Sequence, residues 1–244
     1  MEEETEEYAA EKRLKIVLVG DSAAGKTSIA TRFCHNNFSR QYSPTAGIDF
    51  FYKNVTLGHH KNVNIQLWDV SGLSLRGNML DKYIYEAHLI LLVYDVTNSA
   101  SFDILEEWIA EIRDLSEDLQ ELPMMAMIGN KCDMEHQRTV KRERSHRFAA
   151  EHGFHYQDMS ARTGESVSLC IVTLAAKILG IRLTKIDQDY HKPIVTAEIG
   201  ETVDMPVPKN RKVVNRRPNK KHITIHHFKP KNLPIPKSIS CSLQ

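Results

Sequence analysis

Eight residues near the N-terminus constrain this chain more than any other stretch. Residues 20–27 read Gly-x-x-x-x-Gly-Lys-Thr, a pattern that requires a strand before it and a helix after it. Residues 14–19 are apolar and β-branched, as in a buried parallel strand, and residues 28–33 carry apolar side chains at helical spacing. We therefore predict a strand–loop–helix unit whose backbone N–H groups attract an anion.

Two side chains of this loop have predicted chemical roles. Lys26 is placed to reach phosphate oxygens, and the Thr27 hydroxyl is placed to ligate Mg²⁺. The alternative is a glycine-rich turn that matches the pattern by chance, and the flanking strand and helix argue against it. The residues assigned to phosphate binding are Gly20, Asp21, Ala23, Ala24, Gly25, Lys26, Thr27 and Ser28.

Length and composition allow one α/β domain of ordinary size and a tail. The chain has 244 residues, of which 41% are hydrophobic, so a sizeable core is available. No apolar run approaches the roughly 20 residues of a membrane-spanning helix, and the acidic start argues against a signal peptide. Cys34, Cys132, Cys170 and Cys241 lie far apart, which favours free thiols in a reducing compartment.

Strand-like and helix-like segments alternate along the chain. This order predicts an α/β fold, a mostly parallel six-stranded sheet with helices on both faces. We divide the chain into an acidic flexible leader (1–12), a domain (13–183) and a disordered basic tail (184–244), because six of the nine prolines follow Asp204 and apolar periodicity is absent there. The predicted strands are 14–19, 48–57, 63–69, 89–94, 124–128 and 154–159, and the predicted helices are 28–35, 76–86, 101–119, 140–152 and 165–179.

Polar motifs follow several of these strands, at the edge where open parallel sheets bind ligands. Asp69 ends the strand 63–69 and is placed to hold a metal ion through water, with an Asx turn as the alternative. The amide of Gly72, three residues on, is placed to meet a γ-phosphate oxygen.

The pattern Asn-Lys-x-Asp at residues 130–133 predicts recognition of guanine. Asp133 can accept hydrogen bonds from N1–H and the exocyclic amine of guanine, whereas adenine lacks that amine. Asn130 is expected to brace the loop and Lys131 to cover the base. The alternative explanation of the Asn-Lys-x-Asp pattern is a polar turn. The alternative function is that of an ATP-using P-loop kinase, and Asp133 argues against it. Backbone donors to the other base edge are expected from Ser160, Ala161 and Arg162.

Taken in order, these motifs resemble those of a Ras-superfamily small GTPase, and most of all those of a divergent branch of the Rab family. The matching strings are residues 20–27, 42–50, 68–72, 130–133 and 160–162. The resemblance implies a P-loop NTPase fold, GTP and GDP as ligands, Mg²⁺ as cofactor, and hydrolysis of GTP to GDP and phosphate. It also implies a switch in which the third phosphate and Mg²⁺ order two loops and hydrolysis releases them.

The resemblance further assigns roles to residues of those two loops. Thr45 ligates Mg²⁺ and senses the γ-phosphate, Tyr42 covers the phosphates, and Phe38 packs edgewise on the guanine ring, with simple loop anchoring as its alternative. The predicted metal ligands are therefore Thr27, Thr45 and Asp69, and the predicted catalytic positions are Lys26, Gly72 and Leu73.

Leu73 departs from the family, which usually has glutamine there to orient the attacking water. A leucine side chain has no hydrogen-bond donor or acceptor, so we expect slow intrinsic hydrolysis. Three explanations compete: natural loss of the glutamine, an engineered variant locked in the GTP state, and a second switch loop whose alignment with the family is shifted. The alternative function is a catalytically weak, GTP-bound scaffold that recruits effectors. Ala23 and Ala24 also replace residues that are often Gly and Val.

The net charge of +1 is unevenly distributed along the chain: the leader is acidic, and residues 205–244 contain ten Lys or Arg residues. Residues 241–244 fit C-a-a-X, which predicts farnesylation of Cys241, although a chance C-terminal cysteine is the alternative and Rab proteins usually end in two cysteines. One lipid chain binds weakly, and each nearby basic residue adds about 1 kcal/mol at an anionic membrane. The basic pairs also fit a nuclear-import or RNA-binding stretch, but Phe228 is the only aromatic residue there, so we expect no nucleic acid.

The resemblance also implies partners and a location. It implies effector proteins, an exchange factor, a GTPase-activating protein and a prenyltransferase. It implies vesicle traffic at the cytoplasmic face of a membrane, with a cytosolic pool and the cilium base as one candidate location.

Overall fold

The structure is a computed structural model that describes residues 12–58, 61–116 and 122–192. The strands are β1 Lys12–Val19, β2 Ile48–Leu57, β3 Lys61–Val70, β4 Leu89–Asp95, β5 Met124–Asn130 and β6 His155–Asp158. The helices are α1 Lys26–His35, α2 Leu80–Ile84, α3 Ser99–Asp103, α4 Leu105–Leu115, α5 Arg142–His152, α6 Val167–Ile178 and α7 Lys185–Tyr190, with 3-10 helices at Gly72–Arg76 and Cys132–Gln137.

The six strands form one sheet in the order β2-β3-β1-β4-β5-β6. The β2–β3 pair is antiparallel, and the other neighbours are parallel. This architecture confirms the predicted α/β fold with a mostly parallel six-stranded sheet. The strand β4 at its centre is buried along its whole length, as expected for a strand covered on both faces.

Helices cover both faces of the sheet, so the core has two layers. Along β1, Leu14, Ile16 and Leu18 point into the layer that also holds the buried residues of α1 and α6. Val17 and Val19 point into the other layer, which α2, α3, α4 and α5 cover. The alternation of side chains along a strand thus explains why every residue of the second half of β1 is apolar.

Parallel pairing brings the carboxyl ends of β1, β3, β4, β5 and β6 to one edge. The segment 20–25 leaves β1 there, and Asn130 ends β5 there. The fold therefore gathers at one edge the motifs that are far apart in the sequence.

Several boundaries differ from those predicted. The predicted helix 101–119 is two helices, α3 and α4, with Ile104 between them at ψ −11°. The strand β1 begins at Lys12, inside the predicted leader, because this residue pairs with Val63. The rest of the leader lies outside the described residues.

Regular structure continues past residue 184, where the disordered tail was predicted to begin. Thr184 and Asp187 form a capping box, in which each side chain bonds the other residue's backbone N–H, and the helix α7 follows. Just before it, Ile181 and Leu183 pack against the first core layer. From residue 193 onward the tail, including Cys241, lies outside the described residues.

No helix within the described ranges is long and apolar enough to cross a membrane.

Cys34, Cys132 and Cys170 are free thiols. Burial raises the pKa of Cys170 to about 12, so this thiol stays protonated and unreactive at neutral pH.

Candidate functional site

A cavity of about 380 Å³ opens at the carboxyl edge of the sheet. Most of the predicted site residues line it: Ala23, Gly25, Lys26, Thr27, Ser28, Phe38, Tyr42, Thr45, Gly72, Leu73, Asn130, Lys131, Asp133, Ala161 and Arg162. The fold thus brings the phosphate loop, both loops around Thr45 and Gly72, and the 130–133 and 160–162 motifs around one space.

Five predicted residues lie just behind this lining and touch it. Gly20 and Asp21 accept hydrogen bonds from Lys26, and Ala24 accepts one from Asn130. The other two, Asp69 and Ser160, bond Thr27 and Asp133 respectively. They support the lining residues.

The loop from residue 20 to residue 25 wraps closely because two glycines allow it. Gly20 and Gly25 have φ values of +131° and +96°, a backbone conformation that residues other than glycine rarely adopt. A Cβ atom at Gly20 would overlap the carbonyl of Val93, and one at Gly25 would overlap the amide of Asn130. Both positions therefore require glycine for steric reasons as well as conformational ones.

Lys26 is buried, and its ammonium group lies within the loop. Its Nζ donates to the carbonyl oxygens of Gly20 and Asp21, at 2.8 Å each. Burial lowers the pKa of Lys26 to about 8, although attraction by Asp69 and Asp21 opposes the shift. The residue is still largely charged at neutral pH, so it is a cation that attracts an anionic ligand into the cavity.

Three side-chain oxygens meet beside Lys26. Thr27 Oγ1 donates to Asp69 Oδ2 at 2.5 Å, Thr45 Oγ1 donates to the same oxygen at 3.1 Å, and the two hydroxyls lie 3.0 Å apart. Two hydroxyl protons cannot serve all three contacts, so one oxygen–oxygen contact lacks a proton.

The carboxylate of this cluster is incompletely paired. Asp69 Oδ1 is buried and has no hydrogen-bond partner in the described part of the chain. Burial raises the pKa of Asp69, while the Thr27 hydrogen bond and the Lys26 charge oppose the rise. An electron-rich oxygen cluster with an orphaned carboxylate oxygen fits a small divalent cation such as Mg²⁺, which prefers oxygen ligands.

Asn130 joins two of the loops around the cavity. Its Nδ2 donates to Ala24 O at 2.8 Å, and its Oδ1 accepts from the Ala161 N–H at 3.1 Å. The residue is 1% exposed, so water does not compete strongly for either bond. Asn130 therefore fixes the distance between the phosphate loop and the 160–162 loop.

A carboxylate faces the other end of the cavity. Asp133 Oδ1 accepts from Ser160 Oγ at 2.6 Å, and Asp133 Oδ2 lies 3.5 Å from Arg162 Nη1. The preceding Lys131 has φ +68°, and its Nζ pairs with Asp95 Oδ2 at 2.6 Å. Asp95, at the end of β4, orients Lys131 and was not among the predicted site residues.

Arg32 in α1 is another residue that the sequence motifs did not indicate. Its Nε donates to Ala161 O at 2.8 Å and its Nη2 to Arg162 O at 2.7 Å. Its Nη1 donates to Asn36 O at 3.0 Å. No local pattern points to Arg32, because its main partners lie about 130 residues away. Further lining residues that were not predicted are Ser22, Thr31, Ser39, Arg40, Gln41, Ser43, Pro44, Ser71 and Met134.

The two loops around Thr45 and Gly72 contact each other through the backbone. The Ser71 N–H donates to Gly47 O at 2.9 Å. Gly72 lies against Ser22, and a Cβ atom at this position would overlap the Ser22 backbone. The next residue, Leu73, lines the cavity with a side chain that is 80% exposed.

Comparison with known proteins places this sequence in a family. A profile of the Ras family matches residues 15–180. The Ras-related protein Rab-28 of Caenorhabditis elegans is 37% identical over 191 residues, which cover 78% of this chain and 77% of that protein.

Other Rab proteins are similar at comparable levels. Rab-10 of Caenorhabditis elegans is 37% identical over 165 residues, covering 68% of this chain and 80% of that protein. Human Rab-26 is 38% identical over 165 residues, covering 67% of this chain and 63% of that protein. The family profile spans all the residues that line the cavity, and the relatives named here are Rab proteins. The chain belongs to the Rab-type small GTPases of the Ras superfamily.

Proposed function

We propose that the cavity binds GTP and GDP with Mg²⁺, and that the protein is a switch with slow GTP hydrolysis. The observation that carries the proposal is the arrangement of three chemically different groups around one cavity. The ammonium of Lys26 and the oxygen cluster lie at one end, and the carboxylate of Asp133 lies at the other. A nucleoside phosphate is complementary to this arrangement, since it carries anionic phosphates at one end and a base with N–H donors at the other.

At the phosphate end, the loop supplies donors and a cation. The backbone N–H groups of the loop and of the α1 N-terminus are the donors for phosphate oxygens. Lys26 Nζ donates to two carbonyl oxygens of its own loop. In the complex it would replace one or both of these hydrogen bonds with bonds to β- and γ-phosphate oxygens. Tyr42, which is exposed at the rim, would cover the phosphates. The residues proposed to bind phosphate are Gly20, Asp21, Ala23, Ala24, Gly25, Lys26, Thr27, Ser28 and Gly72.

At the base end, Asp133 would accept from N1–H and the exocyclic amine of guanine. The hydroxyl of Ser160 holds one carboxylate oxygen and so restricts rotation of the carboxylate. Guanine O6 would compete with Asn130 Oδ1 for the Ala161 N–H. The Lys131 stem, anchored by Asp95, would lie over the base.

Phe38 and Arg162 complete the proposed base site. Phe38 lines the cavity and packs partly on the first core layer, so its ring is held in place beside the base. Arg162 lines the same end of the cavity and approaches Asp133.

The oxygen cluster would hold Mg²⁺. Thr27 and Thr45 would offer their hydroxyl oxygens, and Asp69 would face the ion through water, which would supply the partner that Asp69 Oδ1 lacks. When bound, the ion neutralises charge on the β- and γ-phosphate oxygens. The Thr45 hydroxyl would offer a lone pair to the ion while its proton stays on Asp69, so the position of the loop around Thr45 would depend on the ligand.

Leu73 is the observation behind the proposed slow hydrolysis. Its side chain borders the cavity beside Gly72 and offers no donor or acceptor to an attacking water. Lys26 and the Gly72 amide remain available to stabilise charge on the γ-phosphate. Hydrolysis would therefore be slow rather than absent.

The same observation favours one second candidate, a GTP-bound scaffold. If turnover is slower than exchange of nucleotide, the chain stays in the GTP state and recruits effectors without cycling. Measured turnover separates this scaffold from a cycling switch.

The first experiment identifies the nucleotide. Protein purified without added nucleotide is denatured, and the released base and phosphate count are determined by chromatography. We expect guanine nucleotides with about one equivalent per chain. Equal uptake of ATP and GTP in a competition assay would overturn the proposal.

The second experiment is a single-turnover hydrolysis assay. Leu73→Gln is compared with the wild-type chain and with Leu122→Gln, a control at an exposed leucine outside the cavity lining. We expect Leu73→Gln to hydrolyse GTP at least about tenfold faster, since water-orienting groups contribute factors of this order or more. Equal rates in all three proteins would refute the water-orienting explanation.

We also propose that the chain acts in membrane traffic at a cytoplasmic membrane face. The Rab relatives support this role, and the C-a-a-X sequence at Cys241, with the basic residues before it, supports attachment by prenyltransferase to an anionic membrane. An exchange factor, a GTPase-activating protein and effectors would complete the cycle. Membrane fractionation of Cys241→Ser tests the anchor, and unchanged membrane recovery would remove the lipid from the proposal.

A further inference from the structure

Two arginines and two carboxylates form a closed ring of hydrogen-bonded ion pairs behind the base end of the cavity. Arg138 donates from Nε to Glu135 Oε2 at 2.8 Å and from Nη2 to Asp158 Oδ2 at 2.7 Å. Arg142 donates from Nε to the same Asp158 oxygen at 3.1 Å and from Nη2 to the same Glu135 oxygen at 3.0 Å. Four charged hydrogen bonds thus join two carboxylates through two planar guanidinium groups. We call these four residues the charged ring.

The ring has a buried side and an exposed side. The side chain of Arg138 is 7% exposed, whereas that of Arg142 is 51% exposed. Asp158 is held further by the Tyr156 hydroxyl, which donates to its Oδ1 at 2.5 Å. Arg138 is therefore the member whose bonds water and salt screen least.

The ring lies next to the residues that would read the base. Glu135 is two residues after Asp133, and Asp158 is two residues before Ser160. Between these positions, Ser160 Oγ donates to Asp133 Oδ1 at 2.6 Å, and the Cys132 N–H donates to Met159 O at 3.2 Å. The ring therefore ties together the same two chain segments whose separation determines where the Asp133 carboxylate points. None of its four residues lines the cavity, so any influence on a ligand is indirect.

We propose that the charged ring is a positioning device for Asp133, with Arg138 as its principal residue, and that it makes the site prefer guanine over bases without the exocyclic amine. The proposal rests on the proposed function, because it assumes that guanine occupies the cavity.

The physical reason is the geometry that two simultaneous hydrogen bonds demand. Hydrogen bonds weaken steeply when their angle is poor, and Asp133 must face N1–H and the amine at the same time. The 3-10 helix Cys132–Gln137 carries Asp133 and contains one residue outside helical geometry, Met134, at φ −98° and ψ 40°. The ring bonds Glu135 in this helix and so adds to the backbone hydrogen bonds that hold it. A forked guanidinium fixes such a shape better than an ammonium group, which bonds as a point charge.

The test compares GDP with inosine diphosphate, which lacks the exocyclic amine. Affinities of the full chain for both nucleotides are measured in the presence of Mg²⁺ for the wild type, Arg138→Gln and Arg138→Lys. We expect the preference for GDP over inosine diphosphate to fall about tenfold in Arg138→Gln, the equivalent of roughly 1.4 kcal/mol of one hydrogen bond to a carboxylate. Arg138→Lys should restore part of the preference.

Arg144→Gln is the matched control, because Arg144 lies on α5, as Arg142 does, and pairs with Asp103 at 2.6 Å without touching the ring. Its preference should equal that of the wild type. If Arg138→Gln does not fold, Arg142→Gln removes two of the four ring bonds at an exposed site and should lower the preference about threefold.

The outcomes separate this proposal from the proposed function. If Arg138→Gln lowers both affinities equally, the ring has a general structural role and the positioning proposal is overturned. An unchanged preference in both Arg138→Gln and Arg142→Gln overturns it as well. If the wild-type chain itself binds ADP as well as GDP, the proposed function fails first.

Discussion

Replacing Asn130 with alanine should destabilise the folded protein strongly, because this side chain satisfies two backbone groups in different loops. Asn130 donates to Ala24 O at 2.8 Å and accepts from the Ala161 N–H at 3.1 Å. The side chain is 1% exposed. Alanine leaves both backbone groups without these partners.

The expected magnitude follows from the cost of unpaired buried groups. Each such group costs about 1–3 kcal/mol, so two groups cost about 2–6 kcal/mol. Both bonds are buried in the wild type, but the cavity beside Asn130 would let water reach the two backbone groups once the side chain is removed, so the lower part of this range applies. We therefore expect a loss of about 2–4 kcal/mol in the free energy of unfolding.

The assay is urea unfolding followed by circular dichroism, at several GDP concentrations. Extrapolation to zero GDP separates lost stability from lost nucleotide binding, since a ligand of the native state stabilises it by mass action. Asn54→Ala is the control, because it removes one asparagine hydrogen bond, to Asn64, at an exposed position on β2. A loss below about 1 kcal/mol for Asn130→Ala, or a loss equal to that of Asn54→Ala, would refute the reasoning.

Three further predictions concern the site and the core. Gly25→Ala should abolish GDP binding and cost about 1–3 kcal/mol of stability, because its Cβ overlaps the Asn130 amide at φ +96°; a binding titration and thermal unfolding check both effects. Asp69→Asn should reduce the Mg²⁺ dependence of GDP affinity by about tenfold or more, measured as the ratio of affinities with Mg²⁺ and with chelator; an unchanged ratio would contradict the proposed ion site. Cys170, whose pKa burial raises to about 12, should react with a disulfide reagent at pH 8 at least about a hundredfold more slowly in the folded chain than in urea, and equal rates would contradict its burial.

The fold could be predicted from the sequence, and a site proposed, because both depend on local signals. The phosphate loop needs two glycines and a lysine at fixed spacing, and its flanking apolar patterns identify a strand and a helix. The order of strands and helices predicts a parallel sheet, and the structure confirms that sheet. Once strand ends share one edge, the motifs after Asp69 and Asn130 must lie near each other.

Contacts between distant side chains could not be predicted in the same way. Arg32 bonds residues near position 161, and Lys131 pairs with Asp95, yet neither pair has a spacing that a sequence pattern encodes. Lys131 meets Asp95 because β4 and β5 are neighbours in the sheet, and Arg32 meets residues near 161 because α1 and α6 pack on the same core layer. The helix α7 was missed for a different reason. Its start has a local signal, the Thr-x-x-Asp pattern at Thr184, but the residues that follow contain few apolar side chains and so lack helical periodicity.

The guanidinium of Arg32 spans both rims of the cavity. It bonds Asn36, where α1 ends and the loop toward Phe38 begins, and it also bonds the carbonyls of Ala161 and Arg162 on the opposite rim. Neither rim can swing outward alone while these bonds persist. Widening the cavity at its base end therefore requires several bonds of one side chain to break together. Under the proposed function, a protein that hastens nucleotide exit would have to compensate for the loss of those bonds.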